Sequence, residues 1–349
     1  MLSPQSFRAI VSGRRGGPLA ALTRGALGVA EVPYAWAMRR RNRSYDSGRR
    51  PTFAAGVPVI SVGNLTLGGT GKTPLVEWIA RYFRERQVRV AIVSRGYGGA
   101  SGAVNDEALE LQERLPDVPH VQNPDRVAGA ATAVQQHGCQ LIVLDDGFQH
   151  RRLKRDLDMV LLDALEPFGF EHVFPRGTLR ESLAGLARAQ IVVLTRADMI
   201  DAPERNAIRQ RVHSLAPATL WAEAVHAPQQ LRGVAGTAPI DSLTGQKVAA
   251  FCGIGNPAGF RHTLAACGME VTAWREFPDH YAYPRHDVED LARWTEASGA
   301  AAVVCTHKDL VKVRAQRLGA LPLWAVEIGL RFLGGEQEVA AMISASVKL

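Results

Sequence analysis

The sequence predicts an α/β protein with a mostly parallel sheet. Three observations support this: short apolar runs alternate with helical patterns from residue 57 onward, one predicted strand enters a helix through a glycine-rich loop, and a second strand–helix series follows. Such alternation is typical of parallel sheets, because parallel neighbours need a helix-sized connection. The chain has 349 residues and is 46% hydrophobic, which is enough for two domains with separate cores.

The individual elements follow from apolar periodicity and length. In the first series we predict strands at 57–62, 88–94, 140–145, 157–163 and 190–195, with helices near 73–86, 105–115, 124–137 and 202–215. In the second series we predict strands at 247–254, 269–274, 301–306 and 323–328, with helices after Pro257 and near 287–298. A segment with many Pro, Gly, Ser and Thr residues, 227–245, separates the two series. We therefore expect a core domain over 51–228 and a smaller α/β domain over 229–349.

The composition indicates a folded chain in a reducing compartment. Charged residues make up 21% and no low-complexity tract is present, which argues against disorder. The four cysteines are widely spaced without a C-x-x-C pair, so we expect neither disulfides nor a thiolate zinc site.

The first 50 residues form a basic arm. They contain ten arginines against Glu31 and Asp46, a net charge of +8, and because the whole chain carries +7 the remainder sums to −1. The basic character therefore belongs to the arm and not to the globular body. Such an arm could bind nucleic acid or an anionic membrane surface.

A helix over 18–38 of this arm would have one apolar face. Two charged residues and a proline disfavour a helix that crosses the bilayer, which needs about 20 mostly apolar residues. A helix lying in the membrane interface fits better, with Trp36 and the arginines of 39–43 near the headgroups. The alternative is that the apolar face packs on the protein's own body. The face comprises Leu19, Leu22, Ala26, Val29, Ala30, Pro33 and Trp36, with Arg24 and Glu31 opposite.

The stretch SVGNLTLGGTGKTPL, residues 61–75, has the features of a phosphate-binding loop between a strand and a helix. Gly71, Lys72 and Thr73 fit the pattern G-x-x-x-x-G-K-[ST], whereas Thr66 stands where the first glycine is usual. Backbone N–H groups of such a loop bind phosphate, the lysine reaches the β- and γ-phosphates and the hydroxyl ligates Mg²⁺. We predict that the nucleotide contacts Gly68, Gly69, Thr70, Gly71, Lys72 and Thr73.

The predicted strand at 140–145 ends in two adjacent acids, Asp145 and Asp146. Nucleotide sites with a phosphate-binding loop usually hold Mg²⁺ through a carboxylate from a second strand. The alternative for such a pair is a solvated turn. Together with the loop, the pair predicts a metal site.

Four further motifs allow more than one interpretation. SRGYGG at 94–99 could line the site with Arg95 and backbone amides, or form an ordinary turn. FPDHYAYPRHD at 277–287 offers candidates for proton transfer, or a proline-bounded surface loop. T-R-A-D, ending at Asp198, and T-H-K-D at 306–309 resemble the guanine-reading N-K-x-D element but lack its asparagine. A GTP-hydrolysing switch or metal-insertion chaperone is therefore the competing hypothesis.

Taken together, these motifs resemble the tetraacyldisaccharide 4'-kinase family, whose members transfer the γ-phosphate of ATP to a lipid disaccharide. The T-x-G-G-T-G-K-T-P loop and DDGFQH are the most specific motifs, and Thr66 resembles this family's form of the loop. The matching stretches are GNLTLGGTGKTP (63–74), VSRGYGG (93–99), Asp106-Glu107, PDR (124–126), LDDGFQHRRLKRDLDMVLLDA (144–164), FPRGTLRESL (174–183), FPDHY (277–281) and THKDLVK (306–312).

The resemblance implies roles for individual residues. Asp106 would accept the proton of the acceptor hydroxyl, His280 would be its partner from the second domain, and Lys72 would act on the phosphates. The family commonly has G-D-E-P where this chain has Asn105-Asp106-Glu107-Ala108, and A-G-P-L-R-E-P where it has residues 176–182, so local loop geometry is expected to differ. The resemblance further implies acids around Mg²⁺ and the reacting phosphate, namely Glu107, Asp145, Asp146 and Glu181, and nearby nucleotide contacts, namely Arg126 and Gln149.

The expected protein is thus a membrane-surface lipid kinase that uses ATP and Mg²⁺. It would phosphorylate the 4'-hydroxyl of a tetraacylated glucosamine disaccharide 1-phosphate, forming lipid IVA, at the cytoplasmic face of the bacterial inner membrane. The lipid disaccharide and an anionic membrane surface are the expected partners, whereas nucleic acid and an obligate protein partner are not expected. The basic N-terminus and the lack of a Cys/His cluster disfavour the GTPase hypothesis.

Overall fold

The structure, a computed structural model, describes residues 4–96, 106–279 and 281–347. The helices are α1 Pro4–Val11, α2 Pro18–Asp46, α3 Lys72–Arg84, α4 Asp106–Arg114, α5 Arg126–His137, α6 Ala202–Leu215, α7 Pro257–Ala266, α8 Arg285–Glu296, α9 His307–Val313 and α10 Glu336–Ser346. The strands are β1 Val59–Asn64, β2 Val90–Ser94, β3 His120–Gln122, β4 Leu141–Asp145, β5 Leu157–Asp163, β6 Ile191–Thr195, β7 Leu220–Gly233, β8 Gly236–Pro239, β9 Lys247–Cys252, β10 Glu270–Glu276, β11 Ala302–Thr306, β12 Arg317–Leu318 and β13 Leu321–Gly334.

In the described part of the chain these strands form one sheet. Its order is β10-β9-β11-β13-β7-β6-β5-β1-β4-β2-β3, with β8 and β12 as short partners of β7 and β13. Neighbouring strands are parallel except for the β7–β13 pair and the two short hairpins. The predicted mostly parallel α/β fold is therefore confirmed. Parallel strands bring their carboxyl ends to one edge of the sheet. The loops that follow β1, β4 and β6 lie at this edge.

The two strand–helix series meet at a long antiparallel pair, β7 and β13. Pro228 of β7 lies opposite Ile328, at a register shift after Glu327. A proline has no N–H to donate, so an irregularity of this kind lets it stay within a strand. The prediction of a connecting segment at 227–245 is wrong in its first part, because β7 continues to Gly233. The domain boundary between 228 and 229 falls inside this strand, and the division into two domains stays a prediction.

Helices cover the sheet on both faces. Successive residues of β1 enter different buried clusters: Ile60 and Val62 pack in a cluster shared with α3 and α10, whereas Val59 packs with residues of α5. Burial on both faces explains why the parallel strands have almost continuous apolar sequences. Helix α3 contributes Leu75 and Ile79 to the first cluster, which anchors the helix that follows the glycine-rich loop.

Side-chain caps fix two of the predicted helix starts. Asp125 accepts a hydrogen bond from the backbone N–H of Val127 at the start of α5. Asp201 and Glu204 form a capping box at the start of α6. Capping residues satisfy backbone N–H groups that the first helical turn leaves without partners, so these helices begin close to where the sequence predicts.

Helix α2 lies against the body by the side opposite its predicted apolar face, where Tyr34 and Ala35 pack on a buried cluster beside polar residues. Glu31 accepts a hydrogen bond from the backbone N–H of Val173 at 2.7 Å, and the Asn42 side chain donates to Glu181 at 2.6 Å. The apolar face is therefore not the one that packs on the protein's own body. Along the residues that the structure describes, no helix combines the length and apolarity needed to cross a bilayer. The exposed residues include all of the predicted apolar face, namely Leu19, Leu22, Ala26, Val29, Ala30, Pro33 and Trp36.

Candidate active site

A cleft of about 360 Å³ opens at the carboxyl edge of the sheet, between the two strand–helix series. Residues 68–74 and the ends of β4 and β6 line it on one side. Residues 254–256, helix α7 and the start of α9 line it on the other. Any molecule in this cleft would therefore contact both halves of the chain.

The glycine-rich loop between β1 and α3 lines the cleft directly. Gly71 has φ 78° and ψ 37°, in the left-handed region that favours glycine, and α3 begins at the next residue, Lys72. A helix N-terminus preceded by such a loop is suited to bind phosphate. All six predicted phosphate-site residues line the cleft: Gly68, Gly69, Thr70, Gly71, Lys72 and Thr73.

The acidic pair lies beside this loop, because β4 is the direct neighbour of β1. Asp145 and Asp146 both line the cleft. Lys72 Nζ is 3.4 Å from Asp146 Oδ1, and Arg180 Nη1 donates to both Asp146 oxygens at 2.8 Å. The predicted proximity of the loop and the acidic pair is thus present in the structure.

Asp146 is held as an ionised carboxylate in a constrained backbone conformation. Burial raises the pKa of Asp146, but the charges of Lys72 and Arg180 outweigh burial, so that the pKa lies below its ordinary value. The backbone of Asp146 has φ 51°, a region that residues other than glycine adopt at a cost. The carboxylate is therefore fixed next to the lysine that is expected to bind phosphate.

Two residues at the end of β6 contact carbonyl groups of the glycine-rich loop. The Thr195 hydroxyl lies 2.8 Å from the carbonyl oxygen of Thr70, and 3.2 Å from that of Leu162. Arg196 Nη2 donates to the carbonyl oxygen of Gly69 at 3.1 Å, while its Nη1 pairs with Asp163. Both Thr195 and Arg196 are buried.

His226 of β7 lies against the same loop. A Cβ atom at Gly71 would lie 2.2 Å from His226 Nε2, so no larger residue fits there without a shift. Burial, and secondarily the charge of Arg196, lowers the pKa of His226 to about 3. The imidazole is therefore neutral at physiological pH.

Of the predicted site residues whose side chains are described, Arg126, Gln149 and Glu181 do not line the cleft. Arg126 is buried at the start of α5 and donates to the carbonyl oxygen of Pro124 at 3.1 Å. Gln149 donates to Glu181 at 3.1 Å and lies 3.5 Å from Arg180. Their predicted nucleotide contacts stay predictions.

Glu181 is buried behind the residues that line the cleft. Both of its oxygens accept hydrogen bonds from Arg188 Nη2, at 2.8 and 2.9 Å, and Asn42 donates to one of them. The carboxylate thus neutralises a neighbouring arginine in this structure, and its predicted role near Mg²⁺ stays a prediction. Through Gln149 and Arg180, Glu181 supports the surroundings of Asp146.

The side chains predicted for proton transfer lie outside the described part of the structure. Asp106 is the first residue of α4, but its side chain and that of Glu107 are not described, and neither is His280. The neighbouring residue Asp279 lines the cleft. Asp279 thus reaches the cleft from the second half of the chain, and from α4 the cleft is lined by Glu110 and Arg114.

A buried cluster of charges joins α4 to three other elements near the cleft. Arg114 Nη1 is 2.7 Å from Glu77 Oε2 of α3, and Nη2 is 3.1 Å from Glu110 Oε1. Arg114 Nε lies 3.3 Å from His307 Nδ1 of α9 and 3.7 Å from Glu327 Oε1 of β13. Burial lowers the pKa of Arg114, but Glu110 and Glu77 outweigh burial and raise it.

The predicted base-reading position, Asp198, also lines the cleft. Its carboxylate is 2.9 Å from His262 Nε2 of α7, a contact between the two halves of the chain. The preceding residues of the T-R-A-D motif, Thr195 and Arg196, contact the glycine-rich loop as described above. The first two residues and the last residue of this motif therefore have different surroundings.

A central parallel strand that enters a helix through G-G-T-G-K-T, with an acidic pair on the adjacent strand, defines a P-loop nucleotide-binding protein. The profile of the tetraacyldisaccharide-1-P 4'-kinase family matches residues 24–348. A tetraacyldisaccharide 4'-kinase from Anaeromyxobacter sp. strain K is 41% identical, over 95% of this chain and 93% of that protein. One from Desulfatibacillum aliphaticivorans is 36% identical over 89% of each chain.

Among solved structures, LpxK from Aquifex aeolicus in complex with ATP is similar, with a TM-score of 0.74 and 28% identity. The match covers 93% of this chain and 99% of that one. The chain belongs to the tetraacyldisaccharide 4'-kinase family, as the motifs predict. The competing GTPase hypothesis is not favoured by these similarities.

Sequence reasoning missed four residues that shape the site: Arg180, Thr195, Arg196 and His226. Arg180 lies within the quoted FPRGTLRESL stretch, yet nothing in its spacing shows that it pairs with Asp146. Thr195 and Arg196 lie in the T-R-A-D motif, whose resemblance to the guanine-reading element does not indicate contacts with the glycine-rich loop. His226 lies in no recognisable motif. Its place beside the loop depends on the pairing of β7 with β6, which the local sequence does not show.

Proposed function

We propose that this protein transfers the γ-phosphate of ATP to the 4'-hydroxyl of a tetraacylated glucosamine disaccharide 1-phosphate. The observation that carries the proposal is family membership over nearly the whole chain, combined with an intact glycine-rich loop on the cleft. The product would be the 1,4'-bisphosphorylated lipid IVA.

ATP would lie with its phosphates on the loop 68–73. The backbone N–H groups of the loop and the start of α3 would bind phosphate oxygens, and Lys72 would contact the β- and γ-phosphates. LpxK from Aquifex aeolicus has been crystallised with ATP, which supports the same ligand here. In the present structure Lys72 pairs with Asp146, so nucleotide binding would move the lysine or share it between two anionic partners.

The residues at the cleft also fit Mg²⁺. Asp145, Asp146 and the Thr73 hydroxyl offer hard oxygen donors at the loop. In the described residues no group of three or more His, Cys, Asp or Glu could by itself hold a metal. Mg²⁺ usually takes one or two carboxylates and completes its shell with phosphates and water. When bound, Mg²⁺ would neutralise charge on the phosphates during transfer.

Transfer requires a base for the acceptor hydroxyl. The acceptor oxygen would attack the γ-phosphorus, the bond to the β-bridging oxygen would break, and the hydroxyl proton would pass to Asp106. We assign Asp106 because it begins α4, the helix whose residues Glu110 and Arg114 line the cleft, and because it matches the base of the family. His280 would orient it and share the proton from the other half of the chain.

Because the acceptor is a lipid, the enzyme would act at a membrane surface, and the exposed face of helix α2 supports this location. Its apolar face is exposed, with Leu19, Leu22 and Trp36 at 75, 72 and 61% exposure. An exposed apolar face beside a basic cluster is typical of a helix that lies in a membrane interface. Arg39, Arg40 and Arg43 are exposed at the end of this helix. We place the enzyme at the cytoplasmic face of the bacterial inner membrane, where ATP is available.

The purified protein should convert the tetraacyl disaccharide 1-phosphate to a product heavier by one phosphate, using Mg²⁺ and ATP labelled at the γ-position. Mass spectrometry of the lipid fraction identifies the product. A rate of nucleotide hydrolysis that does not change when the acceptor is added, with no labelled lipid formed, would contradict the proposal and support a nucleotide-hydrolysing switch.

A further inference from the structure

We propose that Thr195, Arg196 and His226 are positioning residues that hold the glycine-rich loop in its phosphate-binding conformation. The inference rests on the proposed assignment of this loop to the phosphates of the nucleotide. It gives a function to the first half of the T-R-A-D motif that does not involve reading a base.

The three residues contact three consecutive positions of the loop. Arg196 donates to the carbonyl oxygen of Gly69 and Thr195 to that of Thr70. His226 lies against the next residue, Gly71. The contacts come from the carboxyl end of β6 and from β7, which pair with each other in the sheet. Two rigid strands therefore set the shape of the loop from one side.

Peptide geometry converts these contacts into phosphate binding. A peptide unit is planar, so its C=O and the following N–H point in opposite directions. A hydrogen bond that draws the Thr70 carbonyl toward β6 therefore directs the Gly71 N–H to the opposite side. The same holds for the Gly69 carbonyl and the Thr70 N–H. Consecutive N–H groups that point the same way form the anion-binding concavity that a phosphate needs.

His226 restricts the space available to the loop at Gly71, the third of the contacted positions. Its Nε2 atom is buried without a hydrogen-bond partner among the described residues, and it would lie 2.2 Å from a Cβ atom at Gly71. The imidazole is neutral, so it fills space beside the loop without adding a further positive charge to those of Lys72 and Arg196. Arg196 in turn is fixed by its pair with Asp163 and by a left-handed backbone conformation at φ 55°.

The structure separates this function from base reading. In a guanine reader the final aspartate would bind the base, but Asp198 is paired with His262 here. A base-reading motif would affect one nucleotide more than another. Positioning residues would affect every ligand that carries the phosphate chain, including one without a base.

The test is therefore binding of three ligands by the full-length protein: inorganic tripolyphosphate, ATP and GTP, each with Mg²⁺, measured by calorimetry. Thr195→Val removes the hydroxyl at constant shape, and we expect Kd to rise at least about tenfold for all three ligands. Thr195→Ser keeps the hydroxyl and should restore binding. The matched control is Thr219→Val, which removes a hydroxyl bonded to the carbonyl of Ala189 at 2.9 Å outside the cleft, and should leave Kd unchanged.

Because Thr195 is fully buried, His226→Ala provides a second variant at a less enclosed position. It should also weaken all three ligands by a similar factor. Unchanged binding in both variants, or a loss confined to one nucleotide, would overturn the proposal. Lys72→Ala distinguishes failure of this inference from failure of the proposed function. If this variant binds tripolyphosphate like the wild type, the loop is not the phosphate site and the proposed function itself is contradicted.

Discussion

Asp146 shows how much of this site depends on a single charge. Its carboxylate is shared between Lys72 and Arg180, and the two cations keep its pKa low despite burial. A carboxylate that is ionised before ligands arrive can accept a metal without first losing a proton. The same arrangement holds Lys72 at the loop, so that the residue expected to bind phosphate is in place beforehand.

We expect Lys72→Ala to lose most phosphotransfer activity, because the lysine would supply positive charge to the β- and γ-phosphates throughout the reaction. Asp146→Asn should raise the Mg²⁺ concentration needed for half-maximal activity, or abolish activity, because a carboxylate donor is lost. Initial rates across a Mg²⁺ titration at saturating ATP measure both effects. Wild-type rates in either variant would contradict the proposed phosphate and metal site.

A second expectation concerns Asp106 and His280. A positioned base typically contributes about 10²- to 10⁴-fold to the rate, so Asp106→Ala should lower kcat strongly with little change in the KM for ATP. His280→Ala should lower the same parameter. If the two residues act as a unit, the double variant should be little slower than the slower single variant. Losses that multiply, or a main effect of Asp106→Ala on the KM for ATP, would assign the base elsewhere.

At this scale the sequence predicts which residues reach the cleft better than it predicts their contacts. Residues in motifs, such as Lys72 and Asp146, could be placed at the cleft because each follows a strand of the parallel sheet, and their binding roles stay predictions. Thr195 and His226 could not, since their function depends on which strands are neighbours. Glu181 illustrates the opposite case: an acid in a matching motif that pairs with Arg188 when the chain folds.

Helix α2 is the element whose orientation the sequence left open. The side of α2 that faces the body contacts it through two hydrogen bonds. The Tyr34 hydroxyl donates to the carbonyl of Arg180, and Asn42 donates to Glu181. Deleting the arm would therefore remove contacts next to the active site as well as the apolar face. Substitutions on the exposed face separate the two effects.

We expect the triple variant Leu19→Ser, Leu22→Ser and Trp36→Ser to lose most binding to anionic vesicles while keeping its affinity for ATP. The removed side chains are exposed, so the free energy of unfolding should change little. Co-sedimentation with phosphatidylglycerol-containing vesicles measures binding. A matched control replaces exposed apolar residues elsewhere, Leu165→Ser and Leu333→Ser. Equal binding by the triple variant and the control would contradict the proposed membrane contact.

Among the strands and helices, those with strong apolar patterns were predicted closely. β5 occupies 157–163 and α6 occupies 202–215, as predicted. β7 was missed because its sequence contains a proline and polar residues that are typical of a connection. Its strand conformation is stabilised by pairing with β6 and β13, which are distant in sequence, and such context overrides local preference.

At the scale of the whole molecule, the Arg114 cluster connects elements of both strand–helix series. One buried guanidinium faces carboxylates from α3, α4 and β13, and so connects the helix after the glycine-rich loop to the second strand–helix series. Removing one member of a buried ion network leaves the others uncompensated, which costs far more than losing an exposed pair.

We expect Arg114→Met to lower the free energy of unfolding by about 3–5 kcal/mol, since Glu77, Glu110 and Glu327 would lose their shared partner. The control Arg285→Met removes an arginine that is exposed and paired with Glu289 on the same helix, and should cost less than about 1 kcal/mol. Urea unfolding followed by circular dichroism compares the two. A loss in Arg114→Met no larger than in the control would show that the cluster does not stabilise the fold.

The outward apolar face of α2 has a kinetic consequence. A protein held at a bilayer by that face meets its acceptor by lateral diffusion in two dimensions, and the acceptor does not leave the lipid phase to react. The effective variable is then the mole fraction of acceptor within the bilayer and not its molar concentration in the assay. Diluting the acceptor with inert phospholipid at constant bulk concentration would slow the reaction, whereas adding buffer would leave the turnover of bound enzyme nearly unchanged.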